Sequence, residues 1–315
     1  MAAPNTTFSQ ILSTTIEAYT TNGKFADNIY DGLRTAQVLI DMGGKKREDG
    51  GESIVVQLEY AENMTAQWMG PYGTLDTSPQ DILTAAQFNW RQIAGTVILT
   101  DLEQVQNKGK AKMADLASLK LRNLMKSLRS RLNEAIFNAG TDPVAPVGFQ
   151  AVFSTTGTYG GISRSANAWW RANVEATAEQ LGLVRMRNMW NTCSHNLEAP
   201  KFIVTTQTLY ERLEAMASGI EEIQHPQNQG SADLGFEHLR FKGAPIFWDN
   251  DCPSGTLFFV NPDYVKLHCD KDWEFRVLPT DRPANQNLEI HKVAWFGAIA
   301  ASNCRMLGVL TGKTA

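Results

Sequence analysis

The stretch from Lys110 to Ala139 constrains the fold of this chain more than any other. It holds neither proline nor glycine. Met113, Ala117, Leu121, Leu124, Leu128, Leu132 and Ala135 recur at steps of three and four, which is the spacing of one apolar helical stripe. Lys112, Arg122, Lys126 and Arg129 fall on the other side, so the remaining face is basic. At about 1.5 Å per residue such a helix runs roughly 45 Å, well beyond the usual length. Gly140, then Thr141, Asp142 and Pro143, supplies the stop, because glycine takes a left-handed cap and proline cannot continue a helix. Gly109 weakens any extension back towards Asp101. Two readings of so long a helix stand side by side: the core helix of a large α+β domain, or a strut spanning a thin, elongated subunit.

The chain has 315 residues, of which 43% are hydrophobic and 20% charged. That is enough for a packed core in one large domain or two smaller ones. A net charge of −4 argues against a dedicated nucleic-acid binder, while leaving room for a local basic face. No apolar run approaches the roughly 20 residues that a bilayer-spanning helix needs. The opening MAAPNTTFSQIL lacks a basic segment followed by an apolar one, so no secretory signal is expected. A soluble protein made in a cytoplasm is the expectation. Cys193, Cys252, Cys269 and Cys304 form no C-x-x-C pair and read as reduced thiols. Neither Cys193 with His195 nor His268 with Cys269 has zinc-site spacing. No metal or other cofactor is expected.

Residues 1–51 read as an arm. Within it, Gly43-Gly44-Lys45-Lys46-Arg47-Glu48-Asp49-Gly50-Gly51 reads as an exposed loop. Lys45, Lys46 and Arg47 are either a solvated turn or a nucleic-acid contact. Ser53 to Glu62 is a β-rich run, and a second follows from Phe88 to Thr100. Between them lie Gly70-Pro71-Tyr72-Gly73 and Ser78-Pro79, turn chemistry that closes a hairpin with a long tip. That tip carries Met64, Trp68, Met69, Tyr72 and Leu75. Apolar groups on a projecting loop mark a contact with another chain, unless the loop folds back on its own domain.

Beyond the long helix, Asp142 to Pro146 is a rigid linker and Phe149 to Tyr159 a short strand and turn. An α/β pattern follows. Thr177 to Trp190 reads as a helix with Leu181, Val184 and Met189 or Trp190 inward, and Thr177 with Gln180 resembles a capping box. Lys201 to Thr205 is a buried strand and Gln207 to Ala217 a helix. His225 to Gly235 is a polar loop. Short strands are expected at His238–Phe241, Pro245–Trp248 and Thr256–Val260, and longer ones at Leu288–Ala300 and Asn303–Leu310.

The motifs of chemistry are missing. There is no phosphate-binding glycine loop, no nucleophile elbow and no H-E-x-x-H. Gly161-Ile-Ser163 could be a nucleophile turn only with a histidine base beside it, and a tight structural turn is the simpler reading. The five histidines are scattered singly. A structural or binding role is expected rather than an enzyme, with a hydrolase of unrecognised site as the outlying alternative.

Four short motifs, in chain order, carry a family resemblance. Gly161-Ile-Ser-Arg-Ser165 with Trp169-Trp170-Arg171 is one, and Phe241-Lys-Gly-Ala-Pro-Ile-Phe-Trp-Asp249 the second. Phe258-Phe-Val-Asn261 and Asn303-Cys-Arg-Met-Leu-Gly308 complete the set. Together with the order of parts, they resemble the major capsid proteins of tailed bacteriophages, with the Hong Kong 97 fold. That resemblance implies an α+β subunit with an N-terminal arm (1–51), an extended β-hairpin loop (52–100) and a peripheral domain (101–159) with its spine helix at 110–139. An axial domain (160–280) follows, then C-terminal strands that return to the subunit body (281–315).

It further implies self-assembly as pentamers and hexamers into an icosahedral virion shell around double-stranded DNA, in a host cytoplasm. DNA would be held without sequence specificity, and scaffolding, portal or decoration proteins would be partners. Met64, Trp68, Met69, Tyr72 and Leu75 would meet a neighbouring subunit. Lys45, Lys46, Arg47, Arg122, Lys126 and Arg129 would line the shell interior or meet a neighbour. An encapsulin-like compartment is the alternative on the same fold. Some relatives cross-link through a lysine of the extended loop, but residues 51–100 contain no lysine. With about 50 residues before the hairpin, a separate scaffolding protein, or none, is expected.

Overall fold

The computed structural model describes residues 34–106, 116–221 and 239–315. Most of the expected arm, Lys112 and Met113 of the long helix, and the loop from His225 to Gly235 lie outside the described residues. The described chain divides into two compact units, one of residues 34–91, 133–271 and 296–315 and the other of 92–132 and 272–295.

The larger unit is built on a six-stranded sheet. Its order is Arg240–Phe241, Ala244–Trp248, Phe202–Thr205, Leu257–Val260, Gly308–Leu310 and Asn173–Glu175. Phe202–Thr205 and Leu257–Val260 are buried along their whole length. Their unbroken apolar runs are what central strands covered on both faces require. On one face Ile203, Ile246, Leu257 and Phe259 pack with Met186, Met189, Leu209 and Leu213, which come from the helices Leu183–Thr192 and Gln207–Glu221. On the other face Phe258 meets the rings of Phe137, Phe149 and Phe153 at centroid distances of 6.0, 5.9 and 5.3 Å. A Cβ on Gly308 would lie 2.4 Å from Cys193 Sγ. Only glycine lets the Leu183–Thr192 helix approach this strand so closely.

The smaller unit holds the strand Arg91–Thr100 from Gln92 onward and the long helix as far as Leu132. Strand Arg276–Val277 pairs with Val293 and Ala294 there. Gly95 lies under the helix, since a Cβ there would fall 2.4 Å from Leu124 Cδ1. Val97, Leu99, Leu128, Leu132, Val293 and Trp295 are buried.

The described long helix runs Leu116–Ile136. Gly140 takes a φ of +78°, as a left-handed cap should. The helix nevertheless ends short of Ala139. Its last turn tightens, with Asn138 N–H donating to the Ala135 carbonyl at 3.2 Å and Asn138 Oδ1 accepting from Gly140 N–H at 3.0 Å.

Several expectations need correction. The hairpin pairs Ile54–Glu59 with Leu83–Phe88, in register from Ile54↔Phe88 to Glu59↔Leu83, so Phe88–Thr100 is not its second limb. Arg91–Thr100 is a separate strand that pairs with Leu288–Ala301. Asn89 and Trp90 break one β-rich run into two, and Trp90 is pinned by its Nε1–H donating to the Gly51 carbonyl at 2.9 Å.

Lys45–Glu48 is a strand, not an exposed loop. It runs parallel to Val265–Asp270, a strand absent from the expectations above. Leu267 N–H donates to the Gly44 carbonyl at 2.7 Å and Lys271 N–H to the Glu48 carbonyl at 3.1 Å. The helix expected from Thr177 starts at Leu183. Glu179–Gln180 is drawn instead into pairing with Lys313–Thr314, and Val184 faces outward while Met186 turns inward. A capping box forms elsewhere, where Thr100 Oγ1 accepts from Glu103 N–H and Glu103 from Thr100 N–H. Phe149–Val152 is a helical turn, and Cys304–Met306 a 3₁₀ turn ahead of Gly308–Leu310.

A buried polar knot joins the helix Arg34–Asp41, the end of the long helix and the sheet. Asp249 accepts from Thr35 N–H at 3.1 Å, from the Thr35 hydroxyl, and from Asn133 Nδ2 at 3.1 Å. Asn133 Nδ2 also reaches Asp251 at 2.7 Å, and its Oδ1 accepts from Ala36 N–H at 3.2 Å. Thr35 and Asn133 are fully buried. Asn133→Ala should therefore cost about 2–4 kcal/mol, because it strands a buried N–H and two carboxylates. Urea unfolding of the unassembled subunit, followed by tryptophan fluorescence, measures this. An unchanged midpoint would sink the assignment.

Candidate functional site

The hairpin is mounted firmly at its base. Ile54, Leu58, Ala86 and Phe88 alternate inward and are buried. Gln87 N–H donates to the Gly160 carbonyl at 3.0 Å, and Phe88 lies 5.0 Å from the Tyr159 ring. Tyr60 stacks on Trp169 at 5.5 Å. Gly160, at φ +59°, leaves room for this contact, since a Cβ there would sit 2.8 Å from that of Ala86.

Beyond the last rung, where Tyr60 N–H donates to the Ile82 carbonyl at 3.1 Å, the tip is held by local turns. Asn63 caps Thr65, Asp76 caps Ser78, and Gly73 N–H donates to the Gly70 carbonyl. The tip side chains find no cover among the described residues. Trp68 is 104% exposed, Tyr72 98% and Met64 82%. Leu75 and Met69 are exposed as well. Among the described residues the tip does not fold back on the body that carries it.

The basic residues are placed separately. Lys45, Lys46 and Arg47 alternate along the edge strand Lys45–Glu48, with Lys46 2.9 Å from Glu48. Arg122, Lys126 and Arg129 share one ridge of the long helix, with Arg122 and Arg129 exposed and Lys126 half-buried. The two sets belong to different units.

The motif around Ser163 has a mechanical explanation. Gly160 and Gly161, at φ +59° and +79°, form the turn between Thr158–Tyr159 and Ile162–Ser163. Arg164 then turns inward and is 2% exposed. Its guanidinium donates to the carbonyls of Ala151 and Val152 at 2.7 Å each and of Trp170 at 3.2 Å. It also lies 5.0 Å from the Tyr159 ring centroid. Trp170 Nε1–H donates to the Tyr159 carbonyl at 2.9 Å, and Arg171 clasps the carbonyls of Arg164 and Ser165. Burial pushes the Tyr159 phenol well above its usual range. Its hydroxyl donates to the Ile299 carbonyl and accepts from Ala301 N–H.

The other motifs are equally local. Lys242 and Gly243, both at positive φ, form the two-residue turn between Phe241 and Ala244. Asn303 accepts from Arg305 N–H and so caps the 3₁₀ turn.

Ser163 is not arranged as an activated nucleophile. Ser163 Oγ shares a hydrogen bond with Ser165 Oγ at 2.8 Å. Burial pushes the thiols of Cys193 and Cys252 up to about 12 and that of Cys304 up to about 11, the opposite of what a reactive cysteine needs. None of the four cysteines is in a disulfide. Among the described residues no cluster of three His, Cys, Asp or Glu side chains could hold a metal, and no helix is long and apolar enough to cross a membrane.

Sequence reasoning missed the pair formed by Glu48 and His268. His268 Nδ1 lies 2.9 Å from Glu48 Oε1, across the pairing of the edge strand with Val265–Asp270. Burial holds the imidazole below its ordinary value, against the pull of Glu48 and with a further push from Lys46 and Lys266. Burial also opposes the charge on Glu48, yet bonds from Lys46 and His268 leave its carboxyl below the usual range. No sequence motif signals this pair, which exists only through the strand pairing.

No family model matches the sequence, and no curated protein matches it. Solved structures do match. The capsid asymmetric unit of cyanophage A-1(L) superposes with a TM-score of 0.72 at 16% identity, covering 95% of this chain and 99% of that one. The capsid of the native GTA particle gives 0.65 at 14% identity, covering 99% and 100%. The holo-SrpI encapsulin complex of Synechococcus elongatus PCC 7942 gives 0.57 at 10% identity, covering 100% and 97%. These likenesses establish the fold: the chain has the mixed α+β fold of phage capsid subunits, as the motifs led one to expect.

Acidification gives a direct check on the buried histidine. A depressed folded-state pKa means that the unfolded chain takes up the proton more readily. Stability is therefore complete above about pH 6.5 and falls as the pH drops below it. Glu48 adds a loss of the same sign at lower pH. His268→Gln should flatten the first part of this decline in urea midpoints measured across pH, and an acid limb identical to that of the natural chain would count against the pair.

Proposed function

We propose that this chain is a major capsid protein, a structural subunit rather than an enzyme. It assembles as pentamers and hexamers into an icosahedral shell around double-stranded DNA. The observation that carries the reading is the hairpin tip, whose Trp68 and Tyr72 are fully exposed while its base is anchored. No described residue of the chain covers them, and a second molecule would. Burying such a ring removes about 150–250 Å² from water, roughly 4–6 kcal/mol at most before ordering costs. One such contact is modest, but repeated around closed symmetry axes it holds a shell. The fold shared with phage capsid subunits over nearly the whole length of both chains supports the same reading.

On this reading residues 1–51 are the arm. The hairpin, closing at Phe88 rather than running to Thr100, is the extended loop over a neighbour. Met64, Trp68, Met69, Tyr72 and Leu75 are its contact residues. The long helix is the spine of the peripheral domain (101–159). Residues 160–280 are the axial domain and 281–315 return to the subunit body. Scaffolding, portal or decoration proteins would join the shell in the host cytoplasm, and DNA would be held by charge alone.

The likeness to an encapsulin complex supports a second reading, a compartment enclosing protein cargo. Its TM-score is lower than that of the phage capsid (0.57 against 0.72). Particles that co-purify with a cargo protein and no nucleic acid would favour it.

The combined variant Trp68→Ala with Tyr72→Ala should leave the subunit folded by circular dichroism but abolish particles in light scattering. If it unfolds the subunit, the tip is core and the proposal fails. If it assembles normally, the tip is not the contact.

A further inference from the structure

Two sulfur atoms stand where the described chain is most open. Met64 is 82% exposed and Met69 42%, and among the described methionines these two alone are exposed. Met186, Met189 and Met306 are buried, and Met42, Met125 and Met216 are half-buried. The cysteines are poor competitors for an oxidant. All four are buried, and burial keeps the thiols of Cys193, Cys252 and Cys304 protonated, whereas it is the thiolate that oxidants attack. Both exposed methionines stand beside Trp68 in the hairpin tip. Met69 lies across the Gly70–Gly73 turn, its Cε 3.3 Å from where a Cβ on Gly73 would stand. Methionine suits a contact made at more than one angle, because its unbranched side chain and polarizable sulfur adapt to irregular surfaces. The same sulfur is open to oxidation, which turns a flexible apolar side chain into a polar one.

We propose that Met64 and Met69 form a reversible oxidation site that decides whether a free subunit can assemble. The inference rests on the capsid reading, in which the tip is a contact between subunits. The oxidant is a peroxide. A lone pair of the thioether sulfur attacks one peroxide oxygen, the O–O bond breaks and an S–O bond forms. The other oxygen leaves as water, taking the proton of the attacked oxygen. Sulfur loses two electrons and the peroxide gains them. The sulfoxide oxygen is a strong acceptor, and burying it without a donor forfeits its hydration. An oxidised tip is thus still compatible with a folded subunit, since its sulfurs face solvent, but not with the covered state. Once the tip is covered in a shell the sulfurs are out of reach, so the site acts on free subunits and leaves finished shells alone. Reductases specific for each sulfoxide epimer restore the thioether.

Hydrogen peroxide tests this on purified full-length subunits. Peptide mass spectrometry should find added oxygen on Met64 and Met69 ahead of the other described methionines, and more slowly in preformed shells. Circular dichroism should not change, while the concentration needed for assembly, read by light scattering, should rise at least about tenfold. Treatment with the two sulfoxide reductases should restore assembly. Met64→Leu with Met69→Leu keeps volume and apolarity, so it should assemble and go on assembling after peroxide. Met64→Gln with Met69→Gln should behave as the oxidised chain does. Rescue by the reductases decides the matter even where leucine itself weakens the contact. Oxidised subunits that assemble at the natural concentration, that stay unassembled after full reduction, or that unfold would each overturn the inference and leave the capsid reading standing. So would a leucine variant that assembles untreated but loses assembly to peroxide as the natural chain does. Failure of the untreated natural chain to assemble under any condition would overturn both.

Discussion

The carboxylate of Asp249 is the point on which the larger unit depends. It sits at the end of the Ala244–Trp248 strand, 5% exposed, with Thr35, Asn133 and the N–H of Asp251 around it. An ion in such a place is tolerated only if its lone pairs are filled by donors. The donors come from three parts of the chain far apart in sequence, so the requirement cannot be met until all three have arrived. The cost of leaving the charge unpaired thereby becomes the cost of misplacing either helix. The neighbouring Asp251 carboxyl is raised by burial and by Asp249, with Asn133 pulling the other way. Asn133 is thus the single amide that mediates between two acids, and no aliphatic residue of similar size could stand in for it.

Arg164 solves the inverse problem, a buried cation without a carboxylate. Its planar fork spreads the charge over backbone carbonyls that end the short Phe149–Val152 helix, where the partial negative charge of the helix terminus lies. Lysine could not reach those carbonyls in one plane. This explains why arginine stands between two serines in that motif, with two tryptophans and a second arginine following. Trp170 and Arg171 hold the loop closed around the guanidinium, and Trp169 offers its face to Tyr60 at the hairpin base. At the chain's other end Lys313, also buried, is paired with Glu175 and Glu179 and donates to the Thr177 carbonyl. Buried charges thus fasten the short elements that have little apolar area of their own.

Much of this was legible in the residues. The motifs led to the fold largely because most of them contain a self-contained piece of backbone chemistry. The Lys242–Gly243 turn, the Asn303 cap and the Gly160–Gly161 turn are set by neighbouring backbone; the close approach at Gly308, which needs the distant Cys193 and Met189, is the exception. The exposed tip was legible for the same reason: Trp68 and Tyr72 sit among turn residues that leave no room for a local core. What the residues hid was pairing at a distance. Lys45–Glu48 looks like a solvated turn because an edge strand is guarded by charge; only its partner Val265–Asp270 makes it a strand. The hairpin's second limb is hidden because Phe88 to Thr100 is one β-rich run, and the break at Asn89 and Trp90 is enforced by a bond to Gly51. The Thr177 capping box gave way because Glu179 serves Lys313, more than 130 residues downstream.

These features divide the work of the hairpin. Its base is tied by backbone bonds, ring contacts and a glycine that accepts close packing, so the direction in which it leaves the body is set within the subunit. Its tip is tied only to itself, through Asx turns at Asn63 and Asp76 and the Gly70–Gly73 turn. A short turn can readjust by rotating a few dihedrals, whereas the base would have to break several contacts at once. A subunit proposed to serve both pentamers and hexamers must meet neighbours at slightly different angles. Placing the aromatic anchors on the adjustable end and the hydrogen bonds on the fixed end lets one sequence satisfy both settings.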